Sequence, residues 1–302
     1  MESDCDIEFF AQVSELSERE TAALREILAD DGLASLAENI ARDCFFPSEA
    51  PEPHAFPESS DLSRVWFAAA FLSFGKSRNR YRALRFPDKV WRDSMTDLKV
   101  WLRNEERNRG VIGLGPLARS WEATIYQGNV TRHGRLECNT ECHYEHEPLR
   151  NERGQVILEP DDAVINLHIP EDGPLDLAEC SASLRRIARF FAQCRPGYPW
   201  KGFLCESWLL DRQLLAMLPP GSRIAAFQAL GQHYIMHPTD STLFRIFGTA
   251  DPFAIANPTT LQRNAARFLK AGGQFIEEGM FIPRAAIEAV DFDLTALLVP
   301  IV

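Results

Sequence analysis

The sequence predicts an α+β protein: a helical N-terminal domain followed by a mixed sheet flanked by helices. Three observations carry this expectation. Apolar residues up to Arg109-Gly110 recur at helical spacing almost throughout. Beyond that point short β-branched runs mix with helical stretches. Between Asp162 and Leu210 a strand, a loop, an amphipathic helix and a second strand follow one another in the spacing of a βαβ unit, whose strands run parallel through a right-handed crossover. The change of pattern falls between Arg109 and Leu117 and divides the chain into domains 1–115 and 116–302.

The elements follow in order. Ser17-Glu-Arg-Glu20 has capping-box spacing and opens a helix over 18–40, with an interruption at Asp30-Asp31-Gly32. Residues 44–57, rich in Pro and Glu, read as a loop. Leu62 to Phe74 predicts a strongly apolar helix and Pro87 to Glu106 an amphipathic one. Ala123-Thr-Ile-Tyr126 and Leu136-Glu-Cys-Asn-Thr140 read as two antiparallel strands, punctuated by Gly128-Asn129 and His133-Gly134. After the central unit, residues 211–218 and 222–230 supply a helix broken at Pro219-Pro220-Gly221. His233–Met236 and Thr242–Phe247 read as a hairpin pair, and Asn257-Pro258 as the start of a last helix ending at Gly272-Gly273.

Composition narrows the class of function. A chain of 302 residues with 45% hydrophobic and 25% charged residues buries a sizeable core. The net charge of -11 argues against nucleic acid as the partner. No apolar run is long enough for a membrane span, the acidic N-terminus is unlike a signal peptide, and 7 cysteines at irregular spacing suit reduced thiols; together these predict a cytoplasmic protein. The basic run from Lys76 to Arg92 reads either as a surface for an anion or as a solvated face.

Within the central unit, Val164, Asn166 and His168 alternate onto one face of the first strand, and Pro170 ends it. Asp176 is the expected N-cap of the helix, whose apolar stripe is Leu177, Cys180, Leu184, Ile187 and Phe191. The second strand, Gly202 to Leu210, puts Cys205 and Ser207 on one side and Glu206 on the other. The unit brings His168, Cys205 and Ser207 to neighbouring carboxyl ends, where α/β sheets hold their ligands. His168 is a candidate general base or a histidine fixing the Pro170 loop. Cys205 is a candidate nucleophile or a small apolar core residue, Ser207 a candidate donor to a leaving thiolate, and Glu206 a second candidate base or a surface carboxylate. Cys138-x-x-x-Cys142-His143-x-x-His146 offers zinc-type ligands at a spacing that fits no standard knuckle, so no metal is expected.

Asn166-Leu-His-Ile-Pro170, Gly173-Pro-Leu175, Cys180-x-x-Ser183-Leu184, Phe190-Phe191 and Cys205-x-Ser-Trp-Leu-Leu210, with Trp121 and Gly134-Arg-Leu136, resemble a bacterial family of two-domain acyltransferase-like proteins. In that family a helical N-acyltransferase N-terminal domain precedes a GNAT-like C-terminal domain, and the resemblance runs over nearly the whole chain. It implies a GNAT-like mixed sheet and an N-acyltransferase that moves an acyl group from a CoA or acyl-carrier-protein thioester to the amine of a small-molecule or peptide acceptor, by direct attack in a ternary complex. The donor, acyl-CoA or acyl-phosphopantetheine, is then a substrate. The resemblance lays the pantetheine along Val164–Ile169, with Leu167 and Ile169 contributing backbone, and its pyrophosphate near Gly173 at the start of the next helix, within reach of Arg185. The chain departs from that scheme at the phosphate loop, where Glu171, Asp172 and Asp176 replace a glycine-rich, basic sequence. That departure keeps open an alternative: a non-catalytic GNAT-fold module binding an acyl-thioester or a partner protein.

Overall fold

The computed structural model describes residues 4–47, 60–238, 241–248, 252–253, 255 and 257–288. The chain forms two compact units, one of residues 1–133 and 170–172, the other of residues 134–169 and 173–302.

The first unit is helical: α1 (Asp4–Val13), α2 (Glu18–Ala29), α3 (Asp31–Ile40), α4 (Ser60–Ala83), α5 (Asp88–Met95), α6 (Asp97–Arg109) and α7 (Pro116–Tyr126), then a short strand, β1 (Val130–Arg132). The Ser17–Glu20 capping box is present, and Asp30 accepts from the backbone N–H groups of Gly32 and Leu33, so one aspartate divides α2 from α3. Val65, Phe67, Ala68, Ala69, Ala70, Phe71 and Phe74 are all buried, which makes α4 the central helix around which the others pack. Two expectations change here. The predicted helix over 87–106 is two helices, broken at Thr96. Ala123–Tyr126 is the last turn of α7 rather than a strand: Pro116 starts that helix, and Ala118, Glu122, Ile125 and Tyr126 bury its inner face. In the basic run, Arg78 and Arg92 are answered locally by Asp88 and Lys89 by Asp93.

The second unit holds β2 (Glu137–Asn139), β3 (Leu149–Arg150), β4 (Val156–Leu158), β5 (Ile165–His168), α8 (Leu177–Cys194), β6 (Gly202–Ser207), α9 (Arg223–Gln228), β7 (Gln232–Pro238), α10 (Ser241–Phe247), α11 (Thr260–Lys270), β8 (Ile276–Pro283) and α12 (Arg284–Ile287). Five of its strands lie in the order β2-β5-β6-β8-β7, and only the β5–β6 pair is parallel. The predicted βαβ unit is thus the centre of the sheet, and Asp176 caps α8 as expected. One face packs on α8 through Phe191, Trp200 and Phe203, with ring centroids 6.4 and 5.1 Å apart along that series. The other is covered by Tyr144, Leu149, Leu158 and Val164, gathered over Leu204 and Phe281.

Thr242–Phe247, expected as the partner strand of β7, is helix α10, and β7 pairs with β8 instead. Ile246 and Phe247 are drawn into a helical cluster with Leu214, Met217, Ala265 and Phe275. The last helix is capped by Thr259 and Gln262, two residues beyond the predicted Asn257. Residues 48–57 of the predicted acidic loop and the turn residues 239–240 lie outside the described residues.

In the first unit, Trp101 and Trp121 both donate their indole N–H to Asp97 Oδ2, at 2.8 and 3.0 Å. Glu122 is buried beside that carboxylate, and burial together with the Asp97 charge pushes its carboxyl well above the ordinary range. The folded chain therefore holds that proton to higher pH than the unfolded chain does, and stability falls as pH rises above the ordinary carboxylate range. Glu122→Gln is expected to flatten the loss of stability as pH rises above the ordinary carboxylate range. Thermal unfolding of both proteins across that rise in pH measures the difference, and parallel curves would clear Glu122 of the effect.

Candidate active site

The register around β5 and β6 decides which candidate residues meet. Ile165, Asn166 and Leu167 pair with Phe203, Leu204 and Cys205. Paired residues in a sheet share a face, so Asn166 lies with Leu204, and the next pair along, His168 and Glu206, continues that face. Cys205 lies with Leu167 on the opposite face, toward α8, and Ser207 follows it there. The sequence leaves open whether Cys205 and Ser207 or Glu206 share the face of His168, and the parallel register pairs the imidazole's face with Glu206. Cys205 is fully buried and its thiol is pushed up to about 12, chiefly by burial, which removes the thiolate a nucleophile needs. Ser207 Oγ accepts from the Leu209 backbone N–H and caps the turn that follows β6.

The β5–β6 ladder stops at Leu167–Cys205, whereas β6 goes on pairing with β8 through Glu206–Gly279 and Ser207–Glu278. On its other side β5 is held by β2 through Cys138–Leu167 and Glu137–His168. The backbone of Leu167 is thus engaged on both sides. His168 and Ile169 follow the last of the β5–β6 register pairs.

His168 Nε2 lies 2.6 Å from Asn139 Oδ1, so Nε2 carries the hydrogen. Desolvation holds the ring down at about 4, neutral through the physiological range. Glu206 gathers the rest of the face: Oε1 accepts from His146 Nε2 at 2.7 Å and from the Tyr234 hydroxyl at 2.8 Å. Gly279 makes this possible, since a Cβ there would meet the Tyr234 ring atoms at 2.1–2.5 Å. His146 also packs at 5.4 and 5.6 Å from the Tyr144 and Tyr234 rings. Asn139, His146 and Tyr234 carried no catalytic reading in the sequence. His146 belongs to the zinc-like motif, but Cys138 lies on the other face with Leu167, and among the described residues no group of three His, Cys, Asp or Glu is placed to hold a metal.

The loop after β5 differs from the expected phosphate loop. Within the first unit, Glu171 takes Asn104 Nδ2 at 3.2 Å and Arg107 at 3.5 Å, and Asp172 pairs with Arg132, so both acidic charges are answered. In the second unit, Arg135 donates to the Gly173 and Pro174 carbonyls at 2.7 and 2.8 Å. Space is open around Gly173, but two of the leading N–H groups of α8, on Ala178 and Glu179, are taken by Asp176. Arg185 is exposed on α8, more than two turns past that cap.

Residues 130–281 match the family model of the GNAT-like C-terminal domain, and residues 10–128 that of the N-acyltransferase N-terminal domain. The chain belongs to this GNAT-like family. The two-domain architecture implied by the sequence resemblance is the one matched. Among solved structures, an acyltransferase mutant in complex with octanoyl-CoA is similar at TM-score 0.72 and 19% identity, over 94% of this chain and 89% of that one. An acyltransferase in complex with decanoyl-CoA and teicoplanin is similar at TM-score 0.69 and 19% identity, over 90% of this chain and 86% of that one. A third, with CoA and 10C-teicoplanin, has TM-score 0.70 and 20% identity, over 90% and 86% of the two chains. These likenesses bear on the fold. No curated protein matches the chain, and none of its described helices is long and apolar enough to cross a membrane.

The His168 ring is expected to stay neutral with hydrogen on Nε2 down to acid pH, titrating at about 4. Nitrogen-resolved imidazole spectra across a pH series read this directly; a midpoint near that of a free histidine would mean the ring is solvated.

Proposed function

We propose that the GNAT-like unit transfers an acyl group from a CoA thioester to an amine by direct attack. The observation that carries this reading is the end of the β5–β6 ladder at Leu167–Cys205, with His168 and Glu206 next along one face. A thioester laid past that last pair, beside Ile169, would present its carbonyl to a backbone N–H there, which polarises it. His168 stands in the neutral form that a proton acceptor needs. The same burial makes it a weak base, suited to the proton shed as the C–N bond forms and poorly suited to stripping an ammonium ion.

CoA is favoured over a carrier protein as donor because the similar acyltransferases hold octanoyl-CoA, decanoyl-CoA or CoA. Teicoplanin in two of those complexes supports an acceptor of peptide or small-molecule kind that presents an amine. The inaccessible Cys205 thiol supports direct attack over an acyl-enzyme. A second reading, a non-catalytic module that binds an acyl-thioester, draws on the Asp176 carboxylate sitting on the α8 N–H groups a pyrophosphate would use.

Incubation with decanoyl-CoA and a panel of primary amines, read as thiol release and acylated product, tests the proposal. Turnover is expected, with no mass shift on the protein and full activity in Cys205→Ala. His168→Ala is expected to lower kcat by roughly 100-fold or more. Decanoyl-CoA binding without turnover would favour the non-catalytic module, and a protein adduct lost in Cys205→Ala would overturn direct attack.

A further inference from the structure

Amine acylation releases two protons, and His168 is placed for one. An acceptor amine arrives at neutral pH as its ammonium ion, which has no lone pair for attack until a first proton leaves. That step asks for a base that gains stability on becoming charged. Burial denies this to His168.

A different imidazole in the same unit lies in contact with a carboxylate. His146 directs Nε2 at the Glu206 carboxylate, 2.7 Å away, which fixes the tautomer and leaves Nδ1 as the lone-pair nitrogen. The carboxylate is itself fixed by the Tyr234 hydroxyl, and the Tyr144 and Tyr234 rings hold the imidazole at an angle. The side chains of His146 and Glu206 remain 32% and 25% exposed, so a ligand reaches the pair, unlike the buried Cys205. Base and orienting carboxylate in hydrogen-bond contact is the arrangement by which a protein stabilises an imidazolium. Cys142, Tyr144, Cys205, Tyr234 and Glu277 also feel the Glu206 charge, and each is held toward its protonated form by burial first and that charge second.

We propose that His146 is the base that deprotonates the acceptor's ammonium group, with Glu206 and Tyr234 as its positioning residues. The inference rests on the acyl-transfer reading above. The proton passes from the ammonium nitrogen to His146 Nδ1, and the N–H pair stays on nitrogen as the lone pair. That pair attacks the thioester carbonyl carbon, the C–N bond forms, and the C–S pair leaves on sulfur. The second proton leaves the nitrogen through His168 for the departing thiolate, and His146 returns its proton to solvent.

The test follows decanoyl-CoA turnover with a primary amine between about pH 6 and pH 9. His146→Ala is expected to lose roughly 100-fold in kcat at the acid end, with KM for decanoyl-CoA unchanged and the loss shrinking as the amine arrives neutral. Added imidazole should restore part of the rate. Glu206→Gln should reproduce the pH-dependent loss in milder form. A loss equal at every pH, or a variant within about threefold of wild type throughout, would overturn the assignment while leaving acyl transfer intact. Unchanged decanoyl-CoA binding is the control for folding; where His146→Ala fails it, His146→Gln is read by the same criteria. A wild-type protein that turns over no amine would defeat the acyl-transfer reading itself, and this inference with it.

Discussion

The constraint on which the second unit depends is the parallel register of β5 on β6. It assigns Cys205 to the helix-covered face and Glu206 to the face of His168, and it stops one residue short of both. Because side chains alternate with period two, a slip of one residue would exchange the two sets, burying a carboxylate against α8 and exposing a thiol. The packing of Phe203 against Trp200 on one side and of Leu204 beneath Tyr144 and Phe281 on the other resists that slip, since each face already has its own apolar partners.

The polar groups of the site are held by the same scaffold. Tyr234 reaches Glu206 across β8 only because position 279 carries no side chain. Asn139, one strand away on β2, fixes the tautomer of His168. Two imidazoles thus share one sheet face in unlike surroundings: one is desolvated and held neutral, the other is partly exposed and backed by a carboxylate. Unlike surroundings for two groups of one chemical type are how a protein divides two proton transfers between them.

Much of this arrangement was legible in the sequence, and what was not has identifiable causes. The βαβ unit could be read because its signals are local: alternation in Val164–His168, the Asp176 cap and the stripe on α8. The facing of Cys205 against Glu206 could not, since it is set by pairing between segments that alternation leaves free to shift by one. Ala123–Tyr126 reads as a strand because its β-formers outweigh, in a short window, a helical face that begins at Pro116, and Thr242–Phe247 because its packing on Leu214, Met217 and Ala265 is distant in sequence. His146 stood in a motif suggestive of metal, and its carboxylate partner lies sixty residues on, a contact only the folded sheet creates.

The Asp176 cap has one more implication. Helices that cradle phosphate commonly leave their leading amides vacant and become fully satisfied once the anion docks. Here two of the leading amides of α8, those of Ala178 and Glu179, are satisfied by the chain's own carboxylate. On the proposed acyl-transfer reading, a donor's phosphates would do without those two amides, and the recognition they commonly give would fall to the acyl and pantetheine portions.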